Sequence, residues 1–197
     1  MVLFIYKGGG VKNMKYAYHI DRLHRLKQGQ LISLHQLTKP SIGANQISIL
    51  GIADISEFAQ RHIDCFDDMM NGAPLNREDA NSLQIDKQCE IIRKDFFPHC
   101  PSRFQSFYAC ESRQDVHKWL SAFEYPSPKI WKICYNGNSM KFDARYLSCN
   151  TLEYEDQNKL YSYWRQEVSE DPLFELLVSM PVSVIEDITE SFYTHSI

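Results

Sequence analysis

Short runs typical of β-strands alternate with stretches of helical spacing along the chain, and this alternation limits the possible folds more than any other feature. Strand-like runs rich in β-branched and aromatic residues occupy 16–20, 31–34, 104–110, 129–135, 141–147, 174–179 and 182–188. Helical spacing of apolar residues marks 55–70, 76–97, 116–123 and 151–165. Since no repeat or low-complexity tract interrupts this order, the sequence predicts one domain that mixes helices and strands.

Composition excludes two other classes of protein. The 197 residues are 44% hydrophobic and 13% aromatic, which is enough apolar surface for a packed core and argues against disorder. No stretch approaches the roughly 18 consecutive apolar residues of a membrane-spanning helix, so we expect no membrane partner. The formal net charge is −4, so contact with a nucleic acid would need a local basic patch.

The first residues and the cysteines lead to expectations about domain limits and compartment. Residues 1–14, which include three consecutive glycines, are predicted to be a flexible N-terminal extension, and residues 15–197 a single domain. The apolar run at 2–6 is too short for a secretory signal. The six cysteines contain no C-x-x-C pair, so we expect no metal site, reduced thiols and a cytoplasmic location.

Three local motifs predict where elements begin and end. The Asn-Gly pair at 71–72 predicts the end of the first long helix. Ser112 and Asp115 form the pattern of a capping box in front of the third helical stretch. The Asn-Gly-Asn-Ser sequence at 136–139 predicts a β-hairpin that joins the strand-like runs on either side of it.

General catalytic motifs are absent from the sequence. It contains no phosphate-binding G-x-x-x-x-G-K, no dinucleotide-binding G-x-G-x-x-G, no H-E-x-x-H and no G-x-S-x-G. A cysteine nucleophile stays open as an alternative, because Cys100 and Cys110 flank a conspicuous segment, although the sequence supplies no specific base for either thiol. The main candidates for function are three segments that lie on predicted strands.

These three segments carry a resemblance to a known superfamily. They are residues 18–20 (Tyr-His-Ile), 101–109 (Pro-Ser-Arg-Phe-Gln-Ser-Phe-Tyr-Ala) and 174–178 (Phe-Glu-Leu-Leu-Val). In this order they resemble the three signature strands of the ADP-ribosyltransferases. The stretch from 16 to 188 more closely resembles an uncharacterised bacterial family with an early Tyr-His, a Pro-Ser-Arg-Phe-Gln-Ser stretch and a late Glu-Leu-Leu-Val.

The resemblance implies an α+β fold of split antiparallel β-sheets with flanking helices, in which NAD lies in the cleft between the sheets. His19 would hydrogen-bond the adenosine ribose of NAD. Arg103 could bind the pyrophosphate, for which a two-pronged guanidinium donor is suited. Ser106 and Tyr108 would shape the nicotinamide pocket, and the choice between them as the main pocket residue stays open. Glu175 would be the catalytic carboxylate, bonded to a hydroxyl of the nicotinamide ribose.

The same resemblance implies a mono-ADP-ribosyltransferase that takes NAD as its substrate, needs no metal and releases nicotinamide. Arginine-modifying members carry a Glu or Gln two residues before the catalytic glutamate, whereas this chain has Leu173 there. The resemblance therefore favours the branch whose macromolecular acceptors include nucleic acids as well as proteins. By analogy it implies a bacterial or phage toxin, defence or effector protein, and a toxin would have an inhibitory antitoxin as a partner.

The chemistry asked of Glu175 also follows from general principles. Cleaving the bond between nicotinamide and ribose builds positive charge on the sugar, as in glycoside hydrolysis. A placed carboxylate stabilises that charge more in the transition state than in the ground state. Glu175 is the only charge in an apolar, strand-forming run, where an unpaired carboxylate would be costly to bury.

Each candidate residue also has a purely structural interpretation. His19 could be a packed or solvated histidine. Glu175 could be an edge-strand residue that faces water. Arg103 could pair with Asp95 or Glu111 on the surface, where such a pair contributes little stability.

Other functions and surfaces stay open as well. The chain could be a non-catalytic nucleotide- or partner-binding module with the same fold, or an NAD glycohydrolase that uses water as the acceptor. Aromatic residues at 161–164 could stack on nucleic-acid bases, but core packing is the expected use of rings at helical spacing. The locally basic N-terminal region, which includes Arg22 and Arg25, could steer a nucleic acid or be a solvated face.

Overall fold

The computed structural model describes residues 14–37, 40–73, 77–123, 125–148 and 154–194, and this part of the chain contains nine strands and six α-helices. The strands are β1 (Lys15–Asp21), β2 (Leu31–Ile32), β3 (His35–Gln36), β4 (Asp54–Ile55), β5 (Ser106–Ala109), β6 (Lys129–Tyr135), β7 (Ser139–Asp143), β8 (Phe174–Ser179) and β9 (Val182–Asp187). The helices are α1 (Ile42–Ser48), α2 (Glu57–Met70), α3 (Arg77–Phe96), α4 (Arg113–Ala122), α5 (Tyr154–Trp164) and α6 (Thr189–Tyr193). The predicted N-terminal extension, except for Met14, lies outside the described residues.

Two antiparallel sheets form the centre of the fold. The larger sheet has the strand order β1-β6-β9-β2, and the smaller sheet has the order β5-β8-β7. Neighbouring strands run antiparallel in both sheets, and β3 and β4 form a separate antiparallel pair. The predicted α+β class with antiparallel sheets is therefore confirmed. Among the described helices, none has both the length and the apolar character needed to cross a bilayer.

The two sheets meet where β1 passes the end of β5. Tyr18 donates its backbone N–H to the carbonyl oxygen of Cys110 at 2.9 Å, and Cys110 donates back to Tyr18 at 2.7 Å. This bridge holds β1 beside the strand that pairs with β8. Residues near the middle of β1, at the end of β5 and at the start of β8 are thereby brought together.

Strand β8 is buried on both faces, which explains its nearly uninterrupted apolar sequence. Leu176 and Val178 belong to the core between the two sheets, whereas Leu177 packs with residues of α3 and α5 on the other face. Side chains alternate along a strand, so Glu175 shares the face of Leu177. The carboxylate of Glu175 is consequently directed towards α3 and α5 rather than into the core between the sheets.

The hairpin predicted at 136–139 is wrong, because the strands that flank it belong to different sheets. β6 pairs with β1 and β9, whereas β7 pairs with β8. The connecting residues instead pass over the end of β8, where Ser179 donates its backbone N–H to the carbonyl of Asn138 at 2.9 Å. A Cβ at Gly137 would lie 3.0 Å from the carbonyl oxygen of Ser179, so glycine permits this close approach.

Other local predictions have mixed outcomes. The helix end predicted at 71–72 is confirmed, since α2 ends one residue earlier. The capping box is also confirmed, because the Ser112 hydroxyl accepts from the backbone of Asp115 and the Asp115 carboxylate accepts from the backbone of Ser112, each at 3.1 Å. The strand predicted at 141–147 ends early at Asp143, whose carboxylate accepts from the backbone of Arg145 and begins a 3-10 turn.

Candidate functional site

A cavity of about 370 Å³ lies beside the junction of the two sheets. His19 from β1, Tyr108 from β5 and Glu175 from β8 line it, and so do Arg103 and residues of α2 and α4. This volume falls within the range of about 300–1,000 Å³ that is usual for small-molecule sites. Four of the five residues predicted to form the site therefore line one cavity.

Glu175 is buried in the wall of this cavity and is held through one of its two carboxylate oxygens. Oε1 accepts hydrogen bonds from Arg103 Nη1 and from the hydroxyl of Tyr163, the latter at 2.7 Å. No donor in the described ranges bonds Oε2. The interpretation of Glu175 as an edge residue facing water is therefore wrong. One oxygen anchors the carboxylate, and the other can accept a hydrogen bond from a molecule in the cavity.

Arg103 is buried and connects two buried carboxylates. It donates through Nη1 to Glu175, through Nε to Asp86 Oδ1 at 2.7 Å, and through Nη1 also to the Tyr163 hydroxyl at 2.7 Å. Burial alone would lower the pKa of this guanidinium, but neighbouring negative charges, led by that of Glu175, raise the pKa well above its ordinary value. The surface ion pair considered for Arg103 is therefore wrong, and its charge is used inside the protein.

Asp86 extends this network to a residue on α2. Its Oδ2 lies 2.7 Å from Nδ1 of His62, which lines the cavity with 22% of its side chain exposed. Burial alone would raise the pKa of Asp86, but the charge of Arg103 and the hydrogen bond from His62 outweigh burial and lower the pKa to about 2. Asp86 and His62 were not predicted as site residues from the sequence, and Tyr163 was expected only to stack or to pack in the core.

His19 is buried as a neutral imidazole. Burial lowers its pKa from 6.5 to about 4, although a hydrogen bond with the backbone of Tyr108 opposes this shift. Nδ1 lies 2.8 Å from the Tyr108 carbonyl oxygen, and because a carbonyl can only accept, Nδ1 carries the proton. The rings of Phe58 and Phe107 pack against the imidazole of His19, with centroid distances of 5.3 and 4.7 Å. The other ring nitrogen, Nε2, is therefore an acceptor suited to a hydroxyl group.

We expect the buried neutral His19 to make the fold less stable as the pH falls from 6.5 to 4. Between these pH values His19 binds a proton in the unfolded chain but not in the folded chain. Protonation therefore favours the unfolded chain, and the stability present above pH 6.5 is lost as the pH falls through 4. The expected loss in the free energy of unfolding by that pH is about 3 kcal/mol. Urea unfolding of the wild type and His19→Gln measures it, and the same pH dependence in both proteins would contradict the prediction.

The two remaining residues predicted on β5 differ in their access to the cavity. Ser106 is buried outside the cavity wall, and its hydroxyl donates to the carbonyl of Ser102 at 2.7 Å. Tyr108 lines the cavity, and its hydroxyl donates to the carbonyl of Arg103 at 3.0 Å. Burial raises the pKa of Tyr108 well above 10, so its hydroxyl stays protonated. Of the two, Tyr108 is the residue that a bound molecule could touch.

The two cysteines considered as nucleophiles are both buried. Burial raises the pKa of Cys100, and it raises that of Cys110 to about 12, so both thiols are poor nucleophiles at neutral pH. The cysteine-nucleophile alternative is therefore disfavoured. The described part of the chain contains no group of three His, Cys, Asp or Glu side chains that could hold a metal ion.

Comparison with known proteins assigns the chain to a family without assigning a reaction. No curated protein matches the chain. A family described as protein of unknown function (DUF2441) matches residues 17–190, a span that begins in β1, ends in α6 and includes His19, Asp86, Arg103 and Glu175. Since this match covers most of the sequence, the chain belongs to the DUF2441 family.

Proposed function

We propose that this protein is an ADP-ribosyltransferase that transfers ADP-ribose from NAD to a macromolecular acceptor. The observation that carries the proposal is Glu175, a buried carboxylate at the cavity, which Arg103 and Tyr163 anchor through Oε1 while Oε2 accepts from no described donor. Two antiparallel sheets joined at β1 and β5 support the split-sheet arrangement. Further support is that each of the three segments that resemble ADP-ribosyltransferase signature strands contributes a residue to one cavity.

In the proposed reaction, Glu175 stabilises positive charge on the ribose. The bond between the anomeric carbon and the nicotinamide nitrogen breaks, and its electron pair leaves with nicotinamide. Oε2 accepts a hydrogen bond from a ribose hydroxyl while the carboxylate charge stabilises the oxocarbenium-like transition state. Arg103 is paired with two carboxylates, those of Asp86 and Glu175. Its single positive charge is offset by Asp86, so the three groups together leave one net negative charge beside the cavity.

His19 and an arginine of the cavity wall suit the remainder of NAD. The Nε2 acceptor of His19 would bind a hydroxyl of the adenosine ribose. Arg103 was the expected partner of the pyrophosphate, but its Nε and Nη1 donate to carboxylates. The proposal therefore gives the pyrophosphate to Arg25, an exposed arginine that lines the cavity, and keeps Arg103 as the anchor of Glu175.

A second candidate function is a nucleotide-binding module without turnover. The ion pair between Arg103 and Glu175 favours it, because a paired carboxylate stabilises a developing cation less than an unpaired one does.

An NAD glycohydrolase would use the same residues with water as the acceptor. A role as a bacterial toxin or defence protein would further require that the active protein, and not an inactive variant, slows bacterial growth.

Nicotinamide release from NAD tests these possibilities directly. The purified protein is incubated with NAD alone and with cellular RNA, DNA or protein added separately, while nicotinamide and the mass of each acceptor are measured. We expect one acceptor class to stimulate release and to gain the mass of ADP-ribose. Equal release with and without macromolecules would indicate a glycohydrolase. NAD that binds without being cleaved would indicate the binding module and contradict the transferase.

A further inference from the structure

Three aromatic rings stack along the cavity wall at the C-terminal end of α4. The ring centroids of Trp119 and Phe123 lie 5.4 Å apart with an interplanar angle of 17°, and those of Phe123 and Tyr125 lie 5.5 Å apart at 11°. All three line the cavity, and we call them the aromatic stack. Such separations and small interplanar angles are typical of offset stacking. Phe123 is 41% exposed.

The aromatic stack begins beside the backbone of the residue that precedes Glu175. Trp119 donates its indole N–H to the carbonyl oxygen of Phe174 at 2.7 Å, and Phe174 directly precedes Glu175 on β8. This hydrogen bond fixes one end of the stack next to Glu175. The rings of Phe123 and Tyr125 continue from there along the cavity wall.

Positive charge lies at the other end of the aromatic stack. The guanidinium carbon of the exposed Arg22 is 5.0 Å from the ring centroid of Tyr125. Arg25, to which we assign the pyrophosphate, is also exposed and lines the cavity. Its ion pair with Glu57, at 3.8 Å between two exposed side chains, contributes little. Stacked aromatic faces beside arginines are the combination by which proteins bind unpaired nucleic-acid bases and the adjoining backbone.

We propose that the aromatic stack and Arg22 bind the acceptor, and that this acceptor is a single-stranded nucleic acid. The proposal rests on the proposed transferase function, whose acceptor class it names. A base stacks on the rings while an adjacent phosphate contacts Arg22, whose exposed positive charge lies beside the stack in a chain of net charge −4. A duplex hides the faces of its bases, so the acceptor base must be unpaired.

The proposed transfer step balances in bonds and protons. A ring nitrogen or exocyclic nitrogen or oxygen of the base attacks the anomeric carbon of the ribose. The bond from that carbon to nicotinamide breaks, and nicotinamide leaves with the electron pair. The proton displaced from the base passes to solvent. Because Trp119 is fixed beside the residue that precedes Glu175, a base on the stack approaches the carbon on which positive charge develops.

Fluorescence anisotropy with labelled oligonucleotides of about twelve nucleotides tests the proposal. Single-stranded DNA, single-stranded RNA and the corresponding duplexes are compared, and the tighter-binding single strand identifies the acceptor chemistry. We expect Phe123→Ala to weaken binding of that strand by between about fivefold and about 150-fold, which corresponds to the loss of one stacked base. Phe123→Trp should restore binding. Arg22→Gln should weaken binding and reduce the slope of log affinity against log salt by about 0.7.

The matched control is Phe96→Ala, which removes an exposed phenylalanine at the end of α3 and outside the cavity wall, and it should bind as the wild type does. Absent binding to any single strand, or equal affinity in Phe123→Ala and the wild type, would overturn the proposal. Weaker NAD binding by Phe123→Ala with unchanged strand binding would assign the stack to NAD and overturn it too.

Parallel measurement of nicotinamide release separates the acceptor proposal from the proposed function. If the wild type cleaves NAD but binds no single strand, the acceptor assignment fails and the NAD chemistry stands. If single strands bind as expected but NAD is never cleaved in their presence, the transferase fails. The aromatic stack is then a nucleic-acid site of a binding protein and the acceptor role is overturned.

Discussion

Replacing Glu175 by glutamine is expected to slow nicotinamide release from NAD by about 100- to 1,000-fold. Glutamine has the same shape, and its amide oxygen can still accept from Arg103 and Tyr163, so the carboxamide occupies the same position. It lacks the negative charge that stabilises the transition state more than the bound substrate. We therefore expect the loss mainly in kcat rather than in KM. Chromatographic measurement of nicotinamide over a range of NAD concentrations checks this result.

The matched control is Glu186→Gln, which removes the same charge from an exposed position on β9. It should leave the rate of nicotinamide release unchanged. A wild-type rate in Glu175→Gln would contradict the catalytic role of this carboxylate. Equal losses in the two variants would attribute the effect to net charge rather than to Glu175. Circular dichroism of both variants establishes that each is folded.

The central residues of the site were predictable because local sequence is informative at those positions. His19, Tyr108 and Glu175 each lie on a strand that the β-prone runs predicted, and the segments occur in a recognisable order. The need for a partner to Glu175 was also predictable, because a lone charge in a doubly buried strand is costly. The identity of that partner was not, since Arg103 is separated from Glu175 by 72 positions.

Asp86 shows why the rest of the network could not be predicted. It lies on α3 in the largely polar run Gln84-Ile85-Asp86-Lys87-Gln88, so in the sequence it resembles part of a solvated helix face. The packing of α3 against the turn that carries Arg103 buries Asp86 and brings the two charges to 2.7 Å. Only a tertiary contact distinguishes this aspartate from the exposed acidic residues of other helices.

The fold was predicted least well where tertiary contacts override local signals. The Asn-Gly motif at 136–139 correctly marks a change of direction, but strand pairing is decided by β1, β8 and β9, which lie far away in the sequence. Helix α1 was missed because it has only seven residues and contains Gly43. The carboxylate of Asp67 on α2 accepts from the backbone N–H of Gly43 at 2.8 Å, so a neighbouring helix stabilises a segment of weak helical propensity.

Replacing Arg103 by leucine is expected to lower the free energy of unfolding by about 3–5 kcal/mol at neutral pH. The substitution leaves Asp86 and Glu175 buried without their positive partner. Without the charge of Arg103 the pKa of Asp86 should rise from about 2, so the deficit should shrink as the pH falls. Urea unfolding of the wild type and the variant at several pH values measures the difference and its pH dependence.

A control and a double variant distinguish lost charge pairing from lost packing at Arg103. Arg145→Leu removes an arginine whose side chain is 41% exposed and paired with the exposed Asp171, so it should cost no more than about 1 kcal/mol. Adding Glu175→Gln to Arg103→Leu removes one of the two unpaired buried charges. The double variant should therefore be more stable than Arg103→Leu alone, although it carries one more substitution. If the double variant is less stable than Arg103→Leu, or if Arg145→Leu costs as much, the stabilising role of Arg103 lies in its packing and not in neutralising the two carboxylates.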